Sequence, residues 1–330
     1  MVFVLDSLSF PTYISVKTEI KERKMRTVLV LGGHGFIGRH ACQALSARGF
    51  RVLVGTRRRV SQKDREHLRQ VRVHRMSDAG QWQLLLEDVD VVVNCVGILR
   101  ERLQESYLEV HRDAPLSLLT ACQRYRITHL IHVSALALAP DAKSGFITSK
   151  WFGEEALEVA CSMDQRTACT IVRPSLLDGS DGFGSRWLRR LARAPIIALP
   201  RSLTGRLAAL DVDDLGAAIA ALAASPASGF DVVELGGTKF RTMAEHIGAL
   251  RRGLGHRPAT VLAVPGWLAS AVAWTCDLLH FSPLSRGHLE LMAKDNLPRG
   301  RRLEQLLGRA PRSIGQEEGA PARQPAHSCA

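Results

Sequence analysis

Five residues, Thr27-Val28-Leu29-Val30-Leu31, run without a break into Gly32-Gly33-His34-Gly35-Phe36-Ile37-Gly38, and this junction restricts the possible folds more than any other stretch. A β-branched run followed at once by G-x-x-G-x-x-G reads as a buried parallel strand turning tightly into a helix. Such a turn aims backbone N–H groups and the positive end of the helix at one point, which suits a bound pyrophosphate. Gly32 lets the chain turn, Gly35 lets it approach the phosphates, and Gly38 lets the helix pack on the strand. Phe36 and Ile37 complete this cofactor-binding turn. Three glycines alone also fit a ligand-free β–α turn. The strand before them and the amphipathic stretch after them (Ile37, Ala41, Leu45) favour a dinucleotide.

Strand-like and helix-like segments then alternate to about Val172, as a parallel sheet with crossovers demands. The spacing predicts strands at Thr27–Leu31, Arg51–Val54, Val71–Arg75, Val89–Cys95, Leu130–Val133 and Cys169–Val172. Helices are predicted at Ile37–Arg48, Trp82–Leu86, Ala114–Tyr125 and Phe152–Ala160. The expected fold is α/β, a Rossmann-type doubly wound parallel sheet with a smaller C-terminal α/β lobe. Residues 25–175 form the dinucleotide-binding core and 176–306 a substrate or partner lobe interleaved with it. Residues 1–24 read as a flexible leader, either an over-extended translation start or an arm, and 307–330 as a disordered tail. In the second half, Asp213 or Asp214 can cap a helix through Ala224, and Thr242-Met243-Ala244-Glu245 is a capping box.

The net charge of +12 is diffuse, and its arginine clusters lack interleaved aromatics, which argues against a nucleic-acid surface. A mild attraction to phosphate-rich ligands or anionic membranes is expected. Seven cysteines with no C-x-x-C pair point to a reducing compartment and away from zinc sites and disulfides. A cytoplasmic protein follows, with membrane-surface contact through the apolar Trp267–Leu279 helix as an option; that helix is too short to span a bilayer. Asp211, Asp213 and Asp214 resemble a metal cluster but fall where the fold caps a helix, so no metal site is assigned.

Where an NAD-specific fold places an acid, nineteen residues after Gly38, the chain has Arg57 within Thr56-Arg57-Arg58-Arg59. Guanidinium groups of Arg57 and Arg58 there would grip a 2′-phosphate. The cofactor read from these residues is NADP(H), with NAD(H) as the alternative and Arg57 the leading residue. Asp78 fits two roles, meeting an adenine amino group or capping the Trp82 helix. Val96 and Gly97, in Asn94-Cys95-Val96-Gly97, would let backbone run beside the cofactor, and Asn94 would tie neighbouring loops together.

Several pieces together carry a family resemblance. They are Gly32–Gly38, Asn94 to Leu99, Val110-His111 to Pro115, Ile131 to Leu136, Ser149-Lys150 to Glu154, Arg173-Pro174-Ser175, Leu235-Gly236-Gly237 and Pro265 to Leu268. On these the chain resembles the short-chain dehydrogenase/reductase superfamily in its extended, atypical branch. Within that branch it is most similar to relatives of the 39 kDa subunit of respiratory complex I. The glycine loop is generic; the Val-Gly-Ile-Leu and Ser-Ala-Leu segments are narrower.

The resemblance implies a catalytic serine with tyrosine and lysine spaced Y-x-x-x-K. Ser134 and Lys150 match, but Phe146 stands where the phenol belongs. A phenylalanine has no exchangeable proton, and losing a positioned acid–base group forfeits about 10²–10⁴ in rate. Three readings remain open: an NADP(H) binder with little or no turnover, a reductase or epimerase/dehydratase using Lys150 or another acid, and an accessory or assembly protein linked to respiratory-chain or quinone metabolism. The first matches the structural nucleotide that the complex I resemblance implies. His34 is read as solvent-facing, and His111 and His132 as packing residues. Arg173 is read as bonding backbone, and Pro174 and Ser175 as lining the cleft near the nicotinamide. Residues 182–190 and 201–207 are assigned to the substrate-side wall.

Overall fold

The structure, a computed structural model, describes residues 25–57, 61, 63–76, 78–279 and 285–315. In chain order the strands are β1 (Thr27–Leu31), β2 (Arg51–Thr56), β3 (Leu68–Gln70), β4 (Val91–Asn94), β5 (His129–Val133), β6 (Ala168–Pro174), β7 (Leu177–Asp178), β8 (Ile196–Pro200), β9 (Arg206–Leu207), β10 (Leu210–Asp211), β11 (Phe230–Leu235), β12 (Arg241–Thr242) and β13 (Thr260–Val264). The helices are α1 (Phe36–Ala47), α2 (Gln83–Leu86), α3 (Ala114–Arg124), α4 (Gly145–Met163), α5 (Phe183–Arg193), α6 (Val212–Ala224), α7 (Met243–Gly253), α8 (Gly266–Leu279), α9 (Arg286–Ala293) and α10 (Arg302–Leu307).

Seven parallel strands form the central sheet in the order β11-β6-β5-β4-β1-β2-β3. Every residue of β1 is buried because helices cover both faces of the sheet. Successive side chains alternate sides. Leu29 and Leu31 join Leu118, Leu119 and Leu157 from α3 and α4 on one face. Val28 and Val30 join Ala41, Leu45, Leu215 and Ile219 from α1 and α6 on the other. The α1–α6 contact is close: a Cβ at Gly216 would come within 2.7 Å of the His40 carbonyl. Strand order reverses between β1 and β4, so the sheet opens a crevice at their carboxyl ends.

Beyond β6 a smaller lobe is built from three two-stranded pairs, β10–β7, β12–β9 and β13–β8. Its core joins Leu188, Ile197, Leu207, Ile247 and Leu250. The chain is thus α/β throughout, a Rossmann-type sheet with a smaller lobe, as expected. β11 and α6 return to the central sheet, and α10 packs on α6.

Several expectations need correction. The third strand is Leu68–Gln70, and Val73–Arg75, expected in a strand, is a 3-10 turn. Val71 and Val73 alternate because both point into the core, and the Val71 N–H to Thr56 O bond (2.8 Å) ends the ladder. The helix expected from Phe152 begins at Gly145, seven residues earlier, so Phe146 and Lys150 both lie on it. The cap of α6 is Asp211, whose Oδ1 accepts from the Asp213 N–H at 2.9 Å, in place of Asp213 or Asp214. Asp214 is instead fully buried and paired with Arg309 at 2.6 Å. The tail expected to be disordered from Leu307 is packed as far as Gly315: Ile314 is buried, and Arg312 bonds Asp213 and, through its N–H, Asp214. The expected leader and the rest of the tail lie outside the described residues.

Four buried histidines give the fold an acid-sensitive term. Burial holds His129 and His246 down to about 4, His132 down to about 3, and His111 well below its usual range. Unfolding lets each bind a proton near its ordinary value of 6.5. Their stabilising contribution is therefore complete above that value and is lost as pH falls toward 4, at about 1.4 kcal/mol per pH unit per histidine. Thermal melts across pH are expected to show a midpoint that is flat near neutrality and falls steeply below pH 6. A midpoint unchanged down to pH 4.5 would contradict the assignment.

Candidate functional site

The first glycine of the turn leaves β1 at φ +73°, a left-handed conformation, and the Gly35 N–H closes onto the Gly32 carbonyl at 2.8 Å. Gly38 lies so close behind that a Cβ would overlap the same carbonyl. Gly35 caps α1 with no side-chain hydrogen bond, and the helix has no acidic residue in its first turn. Neither its cap nor its first turn offers a negative group to its leading N–H groups and positive end, an arrangement that suits a bound anion. In front of the turn lies a cleft of about 500 Å³ bordered by Gly32, Gly35, Thr56, Arg57, Val96 and Gly97. The turn and the backbone beyond β4 meet closely: the Cys95 N–H donates to Leu31 O at 3.0 Å. Asn94 ties the strand ends as expected, its amide meeting His132 Nδ1 at 3.0 Å and accepting from the Val96 N–H at 3.1 Å.

A second cavity of about 390 Å³ shares Cys95, Val96 and Gly97 with the first and holds the chemistry-bearing side chains. Phe146 and Lys150 are four residues apart on α4 and therefore share a face. The Lys150 Nζ stands 5.7 Å from the Phe146 ring centroid. Burial drives the Lys150 ammonium down to about 8, and the Glu154 carboxylate, one turn further on, opposes this. Ser134 follows β5, where its N–H donates to Val172 O at 2.7 Å. Its hydroxyl is buried and has no partner among the described residues.

His111 braces the lysine side of the site. Its Nε2 accepts from the Ile98 N–H at 3.1 Å, which puts the proton on Nδ1, facing Ser149 Oγ at 2.9 Å. Ser149 in turn donates to Phe146 O at 3.2 Å. Burial first, and the Lys150 charge second, keep His111 neutral. A Cβ at Gly97 would stand 3.6 Å from Lys150 Nζ and 3.7 Å from His111 Nε2, so both groups look onto the Gly97 backbone. Arg173, expected to bond backbone, instead holds Glu154, with Nε to Oε2 at 2.9 Å. It spans two carboxylates, since Glu234 lies 3.7 Å from Nη1.

The far wall comes from α5, β9 and α9 through residues such as Phe183, Leu207, Leu291 and Met292. Phe36 fixes the loop between β7 and α5: its ring fills the space that a Cβ at Gly179 or Gly182 would enter, at 2.9 and 2.7 Å. Asp181 on this loop is held by Arg39 at 2.6 Å and by His40 at 3.2 Å. Arg189 grips Asp178 with two bonds of 2.7 Å. Asp211, Asp213 and Asp214, considered as a metal cluster, are taken up by the α6 cap, His40, Arg309 and Arg312.

Of the residues singled out in the sequence, Gly32, Gly35, Arg57, Val96 and Gly97 border the first cleft. Phe36, Ile37, Ser134, Phe146, Lys150 and Pro174 line the second, together with Val96 and Gly97. Gly38 is buried behind the turn. His34 is exposed on the cleft rim. Asp78 has the capping role: Oδ1 accepts from the Gly80 N–H at 2.6 Å, and its own N–H donates to Gln81 at 3.3 Å. It borders neither cavity. Arg58 lies outside the described residues. Arg57 stands exposed at the rim, with Nη1 3.0 Å from Glu105. The lining residues on the α9 side escaped the sequence reading, His288 and Asn296 among them; no local pattern marks either one.

This site and sheet define a dinucleotide-fold protein, and the chain belongs to the NAD dependent epimerase/dehydratase family, which it matches over residues 28–236. It is similar to a protein named ceramide reductase from Caulobacter vibrioides, with 29% identity over 63% of this chain and 63% of that protein. It is also similar to the mitochondrial NADH-ubiquinone oxidoreductase 40 kDa subunit of Neurospora crassa, 27% identical over 66% of this chain and 58% of the relative. Both matches thus span less than two thirds of the relatives' lengths. Among solved structures, UDP-glucose 4-epimerase of Thermus thermophilus in complex with NAD shares the fold with a TM-score of 0.57 at 20% identity, covering 72% of this chain and 86% of that one. The relationship expected from the motifs, an atypical short-chain dehydrogenase/reductase akin to the complex I subunit, is the one found.

Proposed function

We propose that the protein binds NADP(H) and is a slow reductase of an apolar carbonyl compound, with Lys150 as proton donor in place of the absent phenol. The observation that carries this reading is the convergence of Lys150 and the unpartnered Ser134 hydroxyl on the second cavity, where it joins the first. The residues fit the cofactor. The uncapped start of α1 suits a diphosphate, and the Gly97 backbone leaves room for a nicotinamide ribose beside Lys150. A bound nicotinamide supplies the hydride. Ser134 donates a hydrogen bond to the substrate's carbonyl oxygen, and the Lys150 ammonium gives that oxygen its proton. An amine with a value near 8 is still protonated at neutral pH yet releases its proton more readily than an ordinary lysine. The similarity to a ceramide reductase supports a reductive, lipid-like reading.

Arg57 supports NADP(H) over NAD(H). The guanidinium has five N–H donors, and the bond to Glu105 uses one, leaving others for a 2′-phosphate at the cleft rim. α8 supports contact with a membrane surface. Its buried side is small (Ala269, Ala273 and Cys276), while Trp267, Leu268, Val272 and Trp274 face outward. Arg100 Nε holds Asp277 at 2.9 Å, which ties α8 to the loop next to the lining residue Leu99. No helix among the described residues is long and apolar enough to cross a membrane. A second reading is favoured by Phe146 itself and by the similarity to the complex I subunit: a nucleotide-binding accessory or assembly protein of respiratory-chain or quinone metabolism, without turnover.

Single-turnover absorbance of bound NADPH against long-chain ketones separates the two readings. The reductase reading expects hydride loss that Lys150→Met slows by about 10²–10⁴-fold. The rate should fall as pH rises through about 8, because the ammonium is the donor form. Hydride loss indifferent to Lys150→Met would refute the assignment, and no hydride loss with any ketone would leave the accessory reading. Phe146→Tyr should raise the rate. Arg57→Ala should weaken NADPH binding about tenfold by titration calorimetry and leave NADH unchanged. Trp267→Ala with Trp274→Ala should abolish co-sedimentation with anionic vesicles.

A further inference from the structure

We infer that Asn296 determines specificity, its carboxamide oxygen accepting a hydrogen bond from an O–H or N–H group that the substrate carries beside its carbonyl. This rests on the reductase reading of the same cavity and deepens it.

Asn296 lies beyond α9, its backbone held by two hydrogen bonds and its side chain by one. Its N–H donates to Arg206 O at 2.7 Å, its carbonyl accepts from Ser175 Oγ at 2.9 Å, and its Nδ2 donates to Leu136 O at 3.4 Å. Ser175 Oγ is itself fixed, accepting from the Ala208 N–H at 3.1 Å. Asn296 borders the second cavity, and its side-chain Oδ1 is buried with no partner among the described residues. The one side-chain bond assigns the amide's orientation. The Leu136 carbonyl only accepts, so the NH₂ group must face it; a flip would set two carbonyl oxygens against each other.

A buried acceptor left without a donor costs about 1–3 kcal/mol. Six buried side-chain polar atoms among the described residues lack a partner, and two of them, Ser134 Oγ and Asn296 Oδ1, belong to residues bordering this one cavity. They are complementary in kind. A ketone oxygen satisfies the Ser134 hydroxyl and the Lys150 ammonium, but it cannot satisfy Asn296 Oδ1, which only accepts. A substrate that fills the cavity and displaces its water must therefore bring a donor. Because Asn296 is tied to Leu136, two residues on from Ser134, the donor belongs near the carbonyl. Leu176, Phe183, Leu207, Leu291 and Met292 surround the remaining space with apolar surface. The substrate class is an alkyl ketone with a vicinal hydroxyl or amide N–H. A site built to bond such a donor discriminates strongly against an analogue lacking it, because the protein group is then left unpaired.

The test is calorimetric binding to the NADP⁺ complex of the full chain, which needs no turnover. The probes are 1-hydroxydecan-2-one and N-(2-oxodecyl)acetamide, against 1-methoxydecan-2-one and decan-2-one, which lack the donor. Tenfold or tighter binding of the two donor-bearing ketones is expected, with the preference lost in Asn296→Leu or, should that variant not fold, Asn296→Ala. Equal affinities across the series, including none measurable, would overturn the inference, as would a preference that survives both variants. NADPH consumption by the same four ketones tests the reductase reading separately. Selective binding without hydride loss would sink that reading and keep the Asn296 assignment; hydride loss without selectivity would do the reverse.

Discussion

The contact of Gly38 with the Gly32 carbonyl sets the position of everything that follows it. No side chain fits between them, so α1 leaves the turn with its axis pressed against the end of β1. That placement brings His40 of α1 against Gly216 of α6, and α6 in turn carries the sheet's second layer. It also puts the Phe36 ring under the loop between β7 and α5, where Gly179 and Gly182 accommodate it. The loop is then closed by Asp181 bonding back to Arg39 and His40. A single backbone approach thus orients the open N–H groups of one cavity and the wall of the other.

Within the second cavity, the decisive force is desolvation. Lys150 is buried, and the nearest carboxylate, Glu154, is bound by Arg173. The cation is therefore compensated only partly, and its ammonium drops toward neutrality. His111 yields to the same environment and stays neutral, which lets its Nε2 accept from the Ile98 backbone. Phe146 contributes in a passive way. Its ring offers Lys150 a weakly attractive face and no proton.

What was legible in the sequence was what local spacing encodes. The strand, the glycine turn and the helix at Thr27 to Ala47 are contiguous, and each residue's role follows from its neighbours. Phe146 and Lys150 were legible only through the Y-x-x-x-K spacing that the family resemblance implies, because the helix carrying both was expected to begin at Phe152 and begins at Gly145. Val71 and Val73 misled because alternation looks the same for a paired strand and for two residues that merely point inward. Among three acids in four residues, Asp211 became the cap because it alone precedes the helix with extended backbone (φ −69°, ψ 136°). The packed segment from 308 to 315 was hidden by its composition. Gly, Pro and Arg read as linker, whereas Arg309 and Arg312 find their carboxylates nearly a hundred residues away. Asn296 was hidden for the same reason, since Ser175 and Leu136 reach it across the fold.

The two unpartnered groups also bear on what the second cavity is for. A protein that only holds a dinucleotide needs the glycine turn, the Gly97 backbone and a lysine at the ribose. It has no evident use for an unpartnered carboxamide oxygen on a residue bordering a separate apolar space. Uncompensated buried polar atoms lower stability, and a cavity free of catalytic demands could lose them by one substitution, Asn296 to an apolar residue of similar size. Asn296, its backbone held by two hydrogen bonds and its amide by one, instead keeps an oxygen without a partner among the described residues. Phe146 removes one route for the proton and leaves the cavity's recognition groups in place.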